Sequence, residues 1–209
     1  MFSFLKKNRN YDNPEFLDQV EILKARGEDP IAKIALNNLK KTEMMIDHAG
    51  KGQEIIITDM YEANRIPLEM LNKGDAFLGI SAIINPLDWA HDEELQKYKD
   101  TNAAQAKKGV DIERTFVLQS PRDIDSMRAI MDEQSAMGIS VRYVLEDDLK
   151  SLSYFPDFTI MPSLNLVIYV PNLNNLTTCI ATCDADLMSE LMKDYETVQK
   201  YATTWNCNE

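Results

Sequence analysis

Apolar positions recur at helical spacing over residues 1–50 and in short continuous runs after them. Phe16, Leu17, Val20 and Leu23 form one stripe, opened by Asn13-Pro14 and closed near Gly27. Ile31, Ile34, Ala35, Leu39 and Met45 form a second, opened by Asp29-Pro30 and closed at Gly50. Asn and Asp side chains cap free amides and Pro suits the first helical position, so the spacing predicts a helical pair. The change of period places a boundary there: an N-terminal helical segment over 1–50 and an α/β domain over 51–209.

Beyond that boundary, Glu54 to Asp59 is a β-branched run and Ala76 to Ile83 reads as a buried strand. Tyr61 to Leu71 lies between them as a helix, with Pro67 expected in its first turn or at a kink. One pattern then occurs twice. Asp92 to Lys108 is a polar-faced helix stopped by Gly109 before the strand Val110 to Leu118, and Pro121 to Met137 is a helix stopped by Gly138 before the strand Ile139 to Leu145. Glycine supplies the left-handed conformation that ends a helix, and helix-Gly-strand units stack with right-handed crossovers. Short strands follow over Phe158 to Met161, Leu164 to Val170 and Thr177 to Ala181, separated by Pro and Asn turns. Asp184 caps a closing amphipathic helix carrying Leu187, Leu191, Tyr195, Val198 and Ala202 on one face, with Trp205 just past it. The expected architecture is three-layer α/β around a mostly parallel sheet, preceded by the helical pair.

Composition narrows the function more than the fold. The 209 residues suit one domain with an appendage, and 44% hydrophobic against 27% charged residues is ordinary globular composition. A net charge of -12 opposes the counterion release that drives non-specific nucleic-acid binding, so no nucleic-acid partner is expected. No apolar run approaches the roughly 18 to 20 residues of a membrane span, which predicts no transmembrane segment. The opening Met1 to Lys7 has too short an apolar part for a secretory signal. Three cysteines give no disulfide framework, and a reducing, cytoplasmic setting is the expectation.

From Ala76 to Trp205 the chain carries Lys107-Lys108-Gly109-Val110-Asp111-Ile112-Glu113-Arg114 before one strand and Met137-Gly138-Ile139-Ser140-Val141-Arg142 before the next. Pro156-Asp157-Phe158-Thr159-Ile160 and a terminal helix with Tyr195 and Trp205 follow. This order resembles the phospholipase-D-like domains of bacterial and archaeal regulators. Active members of that family need His, Lys two residues later and Asp four residues beyond, because the His attacks phosphorus while the Lys holds phosphate oxygens. Phe155 to Ser163, where the triplet is expected, holds neither His nor Lys. The resemblance therefore implies a degenerate member that binds a small molecule or a partner, often as a homodimer.

No catalytic residue, cofactor or metal is expected from the remaining motifs. The two histidines, His48 and His91, have no metal-ligand spacing, and Cys179 with Cys183 lacks the short spacing of a zinc site. Seven glycines form no dinucleotide or triphosphate cradle. Arg114 and Arg142, in the strands that follow the two glycines, and Asp157 at a strand end are the candidate ligand-binding residues, since guanidinium recognises phosphate and carboxylate bidentately. They point to non-catalytic recognition of a small anionic ligand or a protein partner. Two alternatives remain: a metal-dependent phosphoester or nucleotide hydrolase holding its ion through Asp59, Glu146 and Asp157, and a pure protein-interaction module acting through the helical pair.

Overall fold

The computed structural model describes residues 14–26, 29–82, 93–149, 157–171 and 178–206. It divides into two units, Met1–Lys51 and Gly52–Glu209. The first contains α1 (Pro14–Ala25) and α2 (Pro30–Gly50). Asp29 caps α2 by accepting from the amides of Ile31 and Ala32. Asn13 and Gly27 lie outside the described residues. The expected stripe of α2 is not its buried face: Ile31 and Ile34 are exposed, and Ala32 is fully buried.

The second unit is built on one eight-stranded sheet in the order β1-β7-β6-β5-β2-β3-β4-β8. In chain order its elements are β1 (Ile55–Ile57), α3 (Met60–Met70), β2 (Ala76–Ser81), α4 (Glu93–Lys108), β3 (Asp111–Leu118), α5 (Arg122–Ala136) and β4 (Ser140–Leu145). They continue with β5 (Phe158–Met161), β6 (Leu166–Tyr169), β7 (Cys179–Thr182), α6 (Ala185–Tyr201) and β8 (Thr203–Thr204). The parallel part is the centre, β2-β3-β4, where α4 and α5 provide the crossovers. The remaining ladders are antiparallel, and of these β5-β6 and β6-β7 join strands that follow one another too closely in sequence for a helical crossover. Pro67 falls in the last turn of α3, not the first, where it is buried and removes one helical hydrogen bond.

Side chains alternate between two apolar layers. Phe77, Ile112, Phe116, Val141 and Met161 pack with residues of α3, α4 and α5 on one face. Ile80, Val117, Val144, Phe158, Ile160 and Val167 pack with Leu191, Tyr195 and Val198 of α6 on the other. The result is the three-layer arrangement expected. β8 follows α6 directly and pairs with β4, and Trp205 then donates its indole N–H to Asp132 on α5 at 2.8 Å. Arg128 lies 5.0 Å above the same ring, so Trp205 is tied to the layer opposite α6.

The two helix-Gly-strand units end their helices identically. Val110 donates to the carbonyl of Gln105 at 3.0 Å and Ile139 to that of Gln134 at 3.2 Å, the six-residue closure that requires a left-handed residue between. Gly109 and Gly138 take it with φ of 95° and 89°. A side chain is strained there, and at Gly109 a Cβ also comes within 3.0 Å of Lys73 Cγ. Gly109→Ala is expected to lower unfolding free energy by about 1 to 2 kcal/mol, read as a lower urea midpoint at unchanged slope. An unchanged midpoint would show that the turn relaxes without cost.

Candidate functional site

The strand register separates the candidate residues. Arg114 is opposite Val141 and Arg142 is opposite Thr115, so the two arginines leave the sheet on different faces. Arg114 points toward α4. Its Nη2 donates to the Tyr98 hydroxyl and to Asn102 Oδ1 at 3.3 Å, and the guanidinium lies 5.3 Å from the Tyr98 ring centroid. Arg142 points toward α6. Its Nη1 donates to Gln199 Oε1 at 2.7 Å, and its Nη2 is 3.9 Å from Glu113 Oε2.

Arg142 sits in a polar network between the sheet and α6. Tyr195 donates to Glu113 Oε2 at 2.6 Å and Gln199 donates to Thr115 Oγ1 at 2.8 Å, so side-chain hydrogen bonds bridge the strands to α6, while Arg142 Nε is buried without a hydrogen bond among the described residues. Burial first, then the hydrogen bond to the Glu113 carboxylate, raises the Tyr195 hydroxyl far above the ordinary tyrosine range. This network holds α6 on the sheet.

Arg114 differs. It is 4% exposed, yet among the described residues no carboxylate lies within ion-pair distance of it. Across the sheet the register sets Thr159, Gly79 and Arg114 side by side on β5, β2 and β3. With no Cβ at Gly79, the space above it is bordered by Arg114 Nε and Thr159 Oγ1, 3.9 and 4.0 Å from where that carbon would stand. The Thr159 hydroxyl makes no hydrogen bond to a described residue. Nearby polar groups are accounted for locally: Asn102 Nδ2 donates to the Tyr98 carbonyl at 2.7 Å, and Lys99 pairs with Glu133 at 3.1 Å. The arrangement is a buried cation and a hydroxyl facing each other over a glycine. Gly79 and Thr159 were not singled out from the sequence; a glycine inside a strand is the signal that marks such a close approach.

Asp157 immediately precedes β5, at the edge where β2 and β3 end, and its carbonyl accepts from Val170 at 2.9 Å. Neither arginine contacts it, so the three candidates do not share one pocket. Its charge and that of Asp59 act on the buried Cys179 thiol. Burial, the larger cause, and these carboxylates push that thiol up to about 11.

The carboxylates of the metal alternative are dispersed. Asp59 caps α3 by accepting from Glu62 at 2.9 Å, and Glu146 opens a 3-10 turn after β4. Among the described residues no group of three His, Cys, Asp or Glu side chains is placed to hold a metal ion. Likewise, no described helix is long and apolar enough to cross a membrane. His91, Phe155 and Pro156 lie outside the described residues.

No protein-family model matches the chain, and no curated protein matches it by sequence. Solved structures do. Nuc from Salmonella typhimurium, a phospholipase D family member, is 9% identical, with 74% of this chain and 98% of that one covered at a TM-score of 0.51. NucT from Helicobacter pylori is 10% identical over 73% of this chain and 99% of that one, at 0.49. TrmBL2, an archaeal chromatin protein with a novel mode of DNA binding, is 10% identical over 95% of this chain and 71% of that one, also at 0.49. At these identities the likeness is one of fold, and the fold is phospholipase-D-like. The expectation that nucleic acid is excluded as a partner is overturned by the TrmBL2 match. Net charge is a sum over the whole chain, whereas counterion release depends on the cations of one local surface.

Proposed function

We propose that the Gly52–Glu209 unit is a recognition domain that binds a small anionic ligand without transforming it, with Arg114 as the anchor. The observation that carries this reading is the burial of the Arg114 guanidinium with no carboxylate partner among the described residues. Burying an unpaired charge costs several kcal/mol even after relaxation. An oxyanion held by the guanidinium offsets that cost through short, charge-assisted hydrogen bonds. Gly79 leaves room beside the guanidinium and Thr159 offers a further donor from the opposite strand. A non-catalytic role is supported by Phe155 to Ser163, where the resemblance expects the catalytic His and Lys, holding neither. Arg142 is assigned to the α6 network rather than to the ligand. A regulatory, cytoplasmic setting accords with this role.

The full-length chain tests the reading directly. Its melting temperature, followed in phosphate, sulfate and acetate against chloride of equal ionic strength, is expected to rise with the logarithm of oxyanion concentration in at least one series. Superimposable curves in all four salts would remove the anion site.

A further inference from the structure

A second site stands on the same face as Arg114 but beyond Phe116, at the carboxyl ends of β2 and β3. There a cavity of about 230 Å3 opens against the first turns of α5, lined by Ser81, Gln119, Asp123 and Ser126, with Phe116 and Met127 among its apolar walls. We infer that this cavity binds a small free primary amine in its protonated form, its ammonium held by Asp123 and its alkyl stem lying on the apolar wall.

The chemistry follows from the hydrogen-bonding capacity left over at each group. Asp123 Oδ2 already accepts from Ser120, from the amide at 2.8 Å and the hydroxyl at 3.1 Å, which holds the carboxylate in one orientation. Its Oδ1 has no partner among the described residues. Ser126 has committed its proton to the Asp123 carbonyl at 2.9 Å, so it meets a ligand only as an acceptor. The Ser81 hydroxyl and the Gln119 side-chain amide have no described partner, and each can accept as well as donate. An ammonium, with three donors and no acceptor, can engage the free Asp123 Oδ1 together with the acceptor that each of these groups offers. Asp123 is the one ionisable side chain among the described residues of the lining, and its full charge outweighs the partial positive charge of the α5 N-terminus, so the local field favours a cation over a carboxylate or phosphate. The volume lies below the roughly 300 to 1,000 Å3 of pockets for drug-sized ligands, which restricts the amine to a few carbons.

Calorimetric titration of the full chain with n-butylammonium, n-butanol and butyrate separates charge from shape. Binding of butylammonium alone is the expected result. Asp123→Asn, which keeps an acceptor for Ser120, is expected to weaken it at least tenfold, and Ser126→Leu, at an exposed helical position, to abolish it by filling the cavity. Arg114→Met is expected to leave the amine response unchanged, so its loss or survival does not bear on the anion reading. Equal binding of butanol, an unaltered response in Asp123→Asn, or no heat from butylammonium overturns the inference. A lysine side chain carries the same ammonium. Tighter binding of Nα-acetyl-lysine-N-methylamide than of butylammonium would point to a protein side chain and overturn the assignment to a free amine.

Discussion

Arg114→Met is expected to leave the ligand-free protein close to its parent in stability while removing its stabilisation by oxyanions. Two effects oppose each other in the free protein. Loss of the guanidinium leaves the Tyr98 hydroxyl and Asn102 Oδ1 without their donor, at about 1 to 3 kcal/mol for buried polar groups. It also removes a buried cation that no described carboxylate neutralises, which returns several kcal/mol of desolvation. With the oxyanion at a hundredfold excess over its Kd, the parent gains about 2.7 kcal/mol by mass action and the variant gains nothing. Urea unfolding of both proteins, with and without the anion, reads all four quantities. A ligand-free variant that loses more than about 3 kcal/mol would mark Arg114 as a structural residue whose charge is compensated by Tyr98 and Asn102 alone. A variant that keeps the anion response would place the site elsewhere.

Alkaline conditions are expected to destabilise the fold through Cys179. Burial, assisted by the charges of Asp59 and Asp157, raises this thiol from 9.0 to about 11. The unfolded chain therefore releases the proton near pH 9 while the folded chain retains it until near 11, so over that window the folded state binds more protons and stability falls as pH rises. The contribution is fully present below pH 9 and is lost through pH 11. A shift of this size corresponds to about 3 kcal/mol. Tyr195 is raised for the same leading reason, and its contribution begins to disappear from its ordinary value of 10.0 upward, which steepens the decline. Unfolding free energies at pH 8, 9, 10 and 11 are expected to converge between the parent and Cys179→Ala as pH increases. Parallel curves would mean that the thiol ionises in the folded protein as it does in the unfolded one.

Much of the architecture was legible because its signals are local. Asp29-Pro30, Asp184 and the two glycines at Gly109 and Gly138 punctuate helices through contacts spanning a few residues, and each appears where the pattern places it. The strands Phe158 to Met161 and Ser140 to Leu145 follow from β-branched, apolar runs in the same way. The α2 stripe fails this test. Ile31 and Ile34 recur at helical spacing but are exposed, because periodicity identifies an apolar face without saying what covers it. β8 carries only Thr203 and Thr204, and two residues make no pattern; its existence depends on α6 delivering the chain to the free edge of β4.

The candidate site divides along the same line. That a strand following each helix-stopping glycine carries an arginine is a property of the chain order. Which face each arginine takes is not, since a shift of one residue in a strand's register moves every side chain to the other side of the sheet. Pairing across β2, β3, β4 and β5, whose partners are tens of residues apart, set Arg114 beside Gly79 and Thr159 and gave Arg142 to α6. The sequence by itself determined the layered α/β class, the ends of the helices and the supply of charged groups, because these follow from local conformational preference. Only the tertiary structure decided which charge is left buried without a carboxylate among the described residues, because that depends on long-range register and on which helix covers each face.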